Sequence, residues 1–390
     1  MPTQDRAPIA LALGGLFSLA AAMGIGRFVY TPILPFMTEG LKLPADDAGL
    51  IASANFLGYL VGALAGAARS LPGNPRHWFL AGLLVSAVTS AAMAATSTLS
   101  LFLLIRFVSG IASAFVLVFS TTLVLERLNA AGRGNLSAVH FGGVGCGIAF
   151  SALLISGTAF YSTSWQTLWI VSAIATFIFM AFAAWLVPPL TKAAAAAEND
   201  SRHDSEPPKL INGSLIRLIL AYGLFGFGYV ITATFVSAIA RSIPALQPTE
   251  QYVWLAVGLC AAPSIYIWNK VASAAGARKA FAIACVLEAG GVALTVLSTE
   301  PMVFLLGSAL LGLTFMGITA LGLIEARRLA DAGGPASVRQ MLAVMTASFG
   351  LGQVIGPWFA GNLHAVTGSF EAPSLAAAAA LLVAAALVVR

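Results

Sequence analysis

The chain reads as an all-α membrane protein of twelve transmembrane helices arranged in two pseudo-symmetric six-helix bundles. Three observations predict this. Only 9% of its 390 residues are charged and 59% are hydrophobic, with a mean hydropathy of +0.91, whereas soluble domains carry about 25% charged residues. Apolar runs long enough for a bilayer core, which takes ~20 residues per helix, follow one another from end to end. One long polar stretch, "PPLTKAAAAAENDSRHDSEPPKL" (Pro188–Leu210), divides them six and six.

Turn residues and charges bound the spans. Spans one to six are expected near 9–38, 47–68, 78–97, 99–126, 138–161 and 164–187. Span one holds Arg27 in the middle of "MGIGRFVYTPILPFM", and Pro32 and Pro35 bend its outer end by removing helix bonds. Span two carries Asn55 with Tyr59 one turn on. Span four carries Arg106, with Ser113 and Ser120 on the same side. Span five has Gly142, Gly143, Gly145 and Gly147, which permit close backbone approach, and His140 near its cytoplasmic end, placed to reach the interface. Spans seven to twelve are expected near 213–240, 250–274, 279–298, 301–326, 339–364 and 371–389. Tyr222 and Tyr229 lie on span seven, Tyr266 on span eight, Glu288 on span nine, Ser308 and Thr319 on span ten, and Gly350, Gly352, Gln353 and Gly356 on span eleven. The domain organisation is then an N-terminal bundle, 1–187, a cytoplasmic linker, 188–212, and a C-terminal bundle, 213–390.

Loop charges set the orientation. With the N-terminus cytoplasmic, sixteen of the twenty Lys and Arg fall on that side, against Lys42 and Arg241 on the other. Lys and Arg resist translocation, so both termini and the linker are expected in the cytoplasm. The net charge of +5 is thereby a topology signal and does not point to nucleic acid. Cys146, Cys260 and Cys285 lie in apolar runs and read as packing residues, not a disulfide framework. The first apolar run continues past signal-peptide length and lacks a cleavage site, so no cleavable leader is expected.

The halves resemble each other at an offset of 202 residues. Gly24 and Gly26 align with Gly226 and Gly228, and Gly110 aligns with Gly312. Parallel halves joined through a cytoplasmic linker are the layout of a rocking transporter. "RFVSG" (Arg106–Gly110) is similar to the span-four motif of the major facilitator superfamily. "GIGRFVYTPILPFM" followed by "DDAGLIASANFLGYLVGALAG" resembles its bacterial YbfB/YjiJ-type branch. The resemblance covers nearly the whole chain. It implies a multi-pass protein of the bacterial cytoplasmic (inner) membrane that moves solutes by alternating access, with spans one, four, seven and ten around a central cavity. Two departures stand out. The loops "GALAGAARSLPGNPRH" and "WNKVASAAGARKAF" keep basic residues but lack the acid of the family's charge latch. "GGVGCG" on span five lacks the proline of the antiporter pattern, while "GQVIGP" sits on span eleven.

Arg27 and Arg106 are the sharpest features. An arginine at the bilayer centre costs about 2.5–3.5 kcal/mol on insertion scales, and it cannot discharge the cost by losing its proton. Counted from the outer ends of their spans, both lie at similar depth. Two cations around one cavity suit an anionic solute, since a guanidinium offers bidentate donors; bonding to helix carbonyls is the structural alternative. Arg27, Tyr30, Thr31, Arg106, Ser113, Tyr222, Tyr229, Asn55 and Gln353 are the expected substrate-binding set. Glu288 is the one carboxylate near the middle of a span and the candidate for proton coupling, since a carboxyl group held away from water can carry a proton. Glu126 and Glu325, with Arg127 and Arg327, are expected to gate the cytoplasmic face.

The expected function is secondary active transport of a small organic anion, proton-coupled, by a monomer whose partners are the solute, protons and the bilayer. Efflux of amphipathic or cationic drug-like compounds and a transport-inactive membrane sensor or scaffold are the alternatives. No cofactor, metal site or enzyme activity is expected. The sequence offers no paired carboxylates, no His-rich metal spacing and no Ser/His/Asp arrangement.

Overall fold

Proline, glycine and the demand that every buried peptide group be paired explain how the first span is built in the computed structural model, which describes residues 3–68, 73–189, 213–331 and 334–389. The span starts as α1 (Thr3–Leu19), widens into a π-helical turn at Ala20–Ile25, and loses regular helix over residues 26–29. It resumes as α2 (Tyr30–Leu41). Pro32 has no N–H for the carbonyl of Phe28, which instead accepts from the N–H of Thr31 at 3.2 Å. That leaves the carbonyl of Arg27 without its helical donor. The sequence reading of one helix over 9–38 is corrected accordingly: the span is interrupted at Arg27.

The rest of the first bundle comprises α3 (Ala45–Gly66), α4 (Pro75–Met93), α5 (Leu99–Ser120) with a π-helical extension at Thr121–Glu126, the short α6 (Arg127–Ala130), α7 (Ser137–Ala159) and α8 (Trp165–Leu186). The second holds α9 (Gly213–Ser242), α10 (Glu250–Ala275), α11 (Ala277–Leu297), α12 (Pro301–Ala330), α13 (Gly334–Thr367) and α14 (Glu371–Val389). Among the described residues there are no strands, and eleven stretches are long and apolar enough to cross a membrane. The exception is α4. The expected linker lies mostly outside the described residues.

The offset of 202 noted in the sequence returns as a repeat of contacts. A Cβ on Gly110 would strike the backbone carbonyl of Asn55, and one on Gly312 would strike that of Val257; Asn55 and Val257 are themselves 202 apart. Gly24 abuts the backbone of Gly147, and Gly226 abuts that of Phe349, again with the same separation. Close backbone approach at small residues is how helices gain packing in lipid, where apolar burial drives little. The arginines at the starts of α4 and α11 are also 202 apart, with acceptors two residues out of step. Arg76 donates to the carbonyl of Ala184 at 3.0 Å, near the end of α8, and Arg278 donates to that of Val388 at 2.7 Å, near the end of α14. Both cations sit at helix C-termini, where the unpaired carbonyls and the helix dipole favour them.

The bundles meet along three seams: α2 on α9, α3 on α13, and α7 on α10. At the α3–α13 seam the Ser53 hydroxyl accepts the N–H of Trp358 at 3.0 Å. At the α7–α10 seam Gly145 faces the backbone of Ala262 and Gly258 that of Ala149. At the α2–α9 seam the Thr31 hydroxyl donates to the carbonyl of Ala233.

Candidate functional site

The two membrane-embedded arginines do different things. Arg106, on α5, donates through Nη1 to the carbonyl of Gly26 at 3.0 Å and through Nη2 to that of Arg27 at 2.8 Å. These carbonyls lie in the interrupted stretch of the first span, so a cation closes the gap that Pro32 opens. Ser109 adds a longer bond to Gly26 at 3.4 Å. The carbonyl of Arg106 in turn accepts from the Asn55 side chain at 3.0 Å. The depth match read from the sequence is present, and the η nitrogens of Arg106 are committed to backbone.

Arg27 is buried, with 3% of its surface exposed, and is surrounded by rings. Its guanidinium carbon stands 3.9 Å from the ring centre of Tyr59, 4.7 Å from that of Phe56 and 5.3 Å from that of Phe28. A desolvated cation gains about 2 kcal/mol from such a face. Nε and Nη2 of Arg27 meet no acceptor in hydrogen-bond geometry. Those two atoms form one edge of the guanidinium, and elsewhere in this molecule the same edge grips carboxylates. Arg241 holds Glu250 through Nε at 2.8 Å and Nη2 at 2.6 Å, and Arg328 holds Glu325 through Nε at 2.8 Å and Nη2 at 2.7 Å.

Around this cation the second bundle contributes a set of stacked rings. Tyr229 of α9 lies nearly parallel to Phe315 of α12 (8°, centroids 5.6 Å) and to Phe349 of α13 (4°, 5.8 Å). Phe225 and Tyr222 continue the stack along α9. Phe28 touches Phe315 edge-on at 6.3 Å across the seam, so the aromatic groups of the two bundles are continuous. The Gln353 amide donates to the Tyr229 hydroxyl, and Tyr229 is within electrostatic reach of Arg27, Tyr59 and Glu288. Glu288 is fully buried on α11 and lies beside Thr314 of α12.

The remaining expected residues separate. Tyr30 donates to the carbonyl of Ala48 and faces Arg106, not Arg27; Thr31 crosses to Ala233. Ser113, Ser308 and Thr319 donate to carbonyls of their own helices, and Tyr222 donates to that of Thr319 at 3.0 Å. His140 is corrected: it does not reach the interface but is fully buried, 3.4 Å from the Ser120 hydroxyl. On the terminal face, Glu325 pairs with Arg328, and Arg327 is exposed. Arg127 donates to the carbonyl of Pro188 within its own bundle, and Glu126 ends the π-helical turn, exposed. The expected gate residues Arg127 and Glu325 thus bond inside their bundles.

The charge contact that does span the bundles is on the opposite face, and the sequence reading missed it. Arg241 at the end of α9 binds Glu250 of α10 bidentately, reaches Glu39 of α2 at 3.3 Å, and lies 3.9 Å over the ring of Phe36. The available signal was position: Glu39, Arg241 and Glu250 all fall where their spans emerge on one side. Beside this clasp is a cavity of about 380 Å³ lined by Phe36, Ser237, Arg241, Gln247, Glu250 and Trp254, among others.

Two six-helix bundles related by an internal repeat, meeting along glycine-rich seams with a buried cation at the centre, have the layout of a membrane transporter. The chain belongs to the major facilitator superfamily, in the branch described as "Uncharacterised MFS-type transporter YbfB", which matches residues 19–389. Solved structures agree on the fold. The nucleoside transporter NupG, in a point-mutant form, superposes with a TM-score of 0.75 at 16% identity, covering 98% of this chain and 99% of that one. The human organic anion transporter MFSD10 (TETRAN) gives 0.66 at 16%, covering both chains fully. No curated protein sequence matches. Family and fold are those of transporters, which implies a small-molecule substrate and a lipid environment.

Proposed function

We propose that the protein moves a small organic carboxylate across the bacterial cytoplasmic membrane by rocking its bundles, coupled to protons through Glu288. One observation carries this: the Nε/Nη2 edge of buried Arg27 is free of protein acceptors, while the same edge on Arg241 and Arg328 is filled by a carboxylate. A buried guanidinium left without an anion is costly, so an anionic solute supplies what the protein does not. The solute site comprises Arg27, Tyr59, Tyr229 and Gln353, with Tyr222 and Phe315 shaping its far wall. Arg106, Asn55, Tyr30, Thr31 and Ser113 position the first span and the seams around it.

The Arg241 clasp lies on the face opposite the chain termini, which supports a cycle in which the terminal face opens while the opposite face is closed. Lys and Arg counts favour that terminal face as cytoplasmic. The bundles 1–187 and 213–390 then move as units about a linker, 188–212, in a monomer. The scarcity of mid-membrane acids counts against cationic drugs, for which Glu288 would be the sole partner.

The test is a thermal-shift panel of purified protein with small carboxylates, inorganic phosphate and organic cations, since a ligand that prefers the folded state raises the melting temperature. Stabilisation by carboxylates that disappears in Arg27→Gln supports the reading. Stabilisation by cations that survives Arg27→Gln overturns it.

A further inference from the structure

We infer that the carboxylate taken by Arg27 is borne on a flat aromatic ring, so the substrate class is aryl carboxylates. This rests on the carboxylate reading of Arg27 and narrows it.

The Arg27 guanidinium carbon lies 3.9 Å from the Tyr59 ring centre and 4.7 Å from that of Phe56, and its Nε/Nη2 edge meets no acceptor. A carboxylate bound bidentately is coplanar with the guanidinium. Whatever the carboxylate carries therefore starts beside the three rings that surround the guanidinium. In an aryl carboxylate that plane continues through the ring, whose faces and edges suit aromatic neighbours. A saturated ring projects axial hydrogens and loses the close approach.

The second bundle brings the same chemistry. Tyr229 lies within 8° of parallel to both Phe315 and Phe349, and Phe28 links this set to the Arg27 rings. When the bundles part, a planar ring at Arg27 meets π-faces and edges from both sides, in the offset and edge-on geometries that aromatic pairs prefer. Some nearby polar groups are already engaged, while Gln353 Oε1, Asn55 Oδ1 and Thr232 Oγ1 meet no partner. Ser113, Ser308 and Thr319 are tied to their own backbones, Tyr222 to the carbonyl of Thr319, and Gln353 to Tyr229. A flat apolar body with one anionic head fits.

Benzoate, cyclohexanecarboxylate and benzamide separate the elements: the first two share size and charge, and the third keeps the ring but not the anion. Calorimetric titration into full-length protein in nanodiscs should show benzoate binding about tenfold tighter than cyclohexanecarboxylate, the scale of one good aromatic contact, with benzamide weaker than both. Tyr59→Leu should remove that preference and Tyr59→Phe should keep it. Equal binding of the two acids, both lost in Arg27→Gln, overturns the aromatic inference and leaves the carboxylate reading standing. Benzamide binding as tightly as benzoate, or no acid binding at all, overturns both.

Discussion

The hydroxyl of Thr31 donates to the carbonyl of Ala233 across 2.6 Å, and the two residues are 202 positions apart, the same offset that aligns the bundles. A residue that touches its own counterpart lies on the axis relating the two halves. Thr31 is therefore at the pivot of the α2–α9 seam, where a small displacement is least amplified. Replacing it by valine keeps the shape and removes the donor, leaving a carbonyl that the helix already partly satisfies. Interhelical bonds of this kind average about 0.6 kcal/mol in membranes. Thr31→Val should thus lower the melting temperature only slightly, while disulfide crosslinking of a cysteine pair placed across α2 and α9 becomes faster. Unchanged crosslinking would remove Thr31 from the pivot.

Arg106 and Arg27 should behave oppositely on neutralisation. Arg106→Gln takes two charge-assisted donors from the carbonyls of Gly26 and Arg27, leaving Gly26 only the longer bond from Ser109. Leaving buried acceptors unpaired costs about 1–3 kcal/mol each, so expression and melting temperature should fall sharply. Arg27→Gln removes a buried cation whose Nε and Nη2 have no acceptor, so stability should hold or rise. Thermal unfolding of the two variants checks this. A fall for Arg27→Gln as large as that for Arg106→Gln would mean that Arg27 serves the fold.

This division also marks the limit of what the sequence carried. The spans, the six-plus-six arrangement and the glycine repeat were legible because lipid demands long apolar runs and close packing demands small residues. That Arg27 and Arg106 share a depth was legible too. What one cation grips was not, since it depends on the break at residues 26–29, where Pro32 withholds a donor four residues on from Phe28. "GIG" upstream of that proline was the visible trace. The Arg241 clasp was hidden for another reason: it joins ends of α2, α9 and α10, whose lateral order no periodicity specifies.

Arg241 offers a test of closure on the opposite face. Its link to Glu39 is the part that crosses the bundles, and the Glu39 side chain is 65% exposed. Exposed pairs contribute about 0–1 kcal/mol and are screened by salt, so Glu39→Gln should shift the conformational balance by no more than about fivefold. High salt should reproduce that shift in the native protein. Arg241→Gln also frees Phe36 and Glu250 and should open this face further. Alkylation rates of a cysteine at Ser237, which borders the clasp, report both. Equal rates in all three would exclude the clasp as a gate.

Glu288 is tested by separating drive from exchange. A carboxyl group that carries the coupling proton is needed for uphill uptake but not for solute-for-solute counterflow. Glu288→Gln proteoliposomes should lose accumulation driven by an imposed pH gradient while retaining counterflow. Because the Glu288 oxygens meet no donor in hydrogen-bond geometry, the amide should fold as well as the acid. Persistent gradient-driven accumulation would move the coupling site elsewhere.

The repeat itself makes a prediction about stability. Gly110 against the carbonyl of Asn55 and Gly312 against that of Val257 are the same contact made twice, at crossings where α5 meets α3 and α12 meets α10. A methyl group at either position has only backbone to displace, and backbone yields by moving a whole helix. Gly110→Ala and Gly312→Ala should therefore destabilise by similar amounts, in the range of about 1–3 kcal/mol for overpacking. Gly157 on α7 meets nothing within 4 Å, so Gly157→Ala should be neutral or stabilise by up to about 1 kcal/mol through helix propensity. Unfolding of the three variants side by side decides the matter: if Gly312→Ala proves as harmless as Gly157→Ala while Gly110→Ala does not, the two crossings are not equivalent, and the second bundle is held by its aromatic stack instead of its glycines.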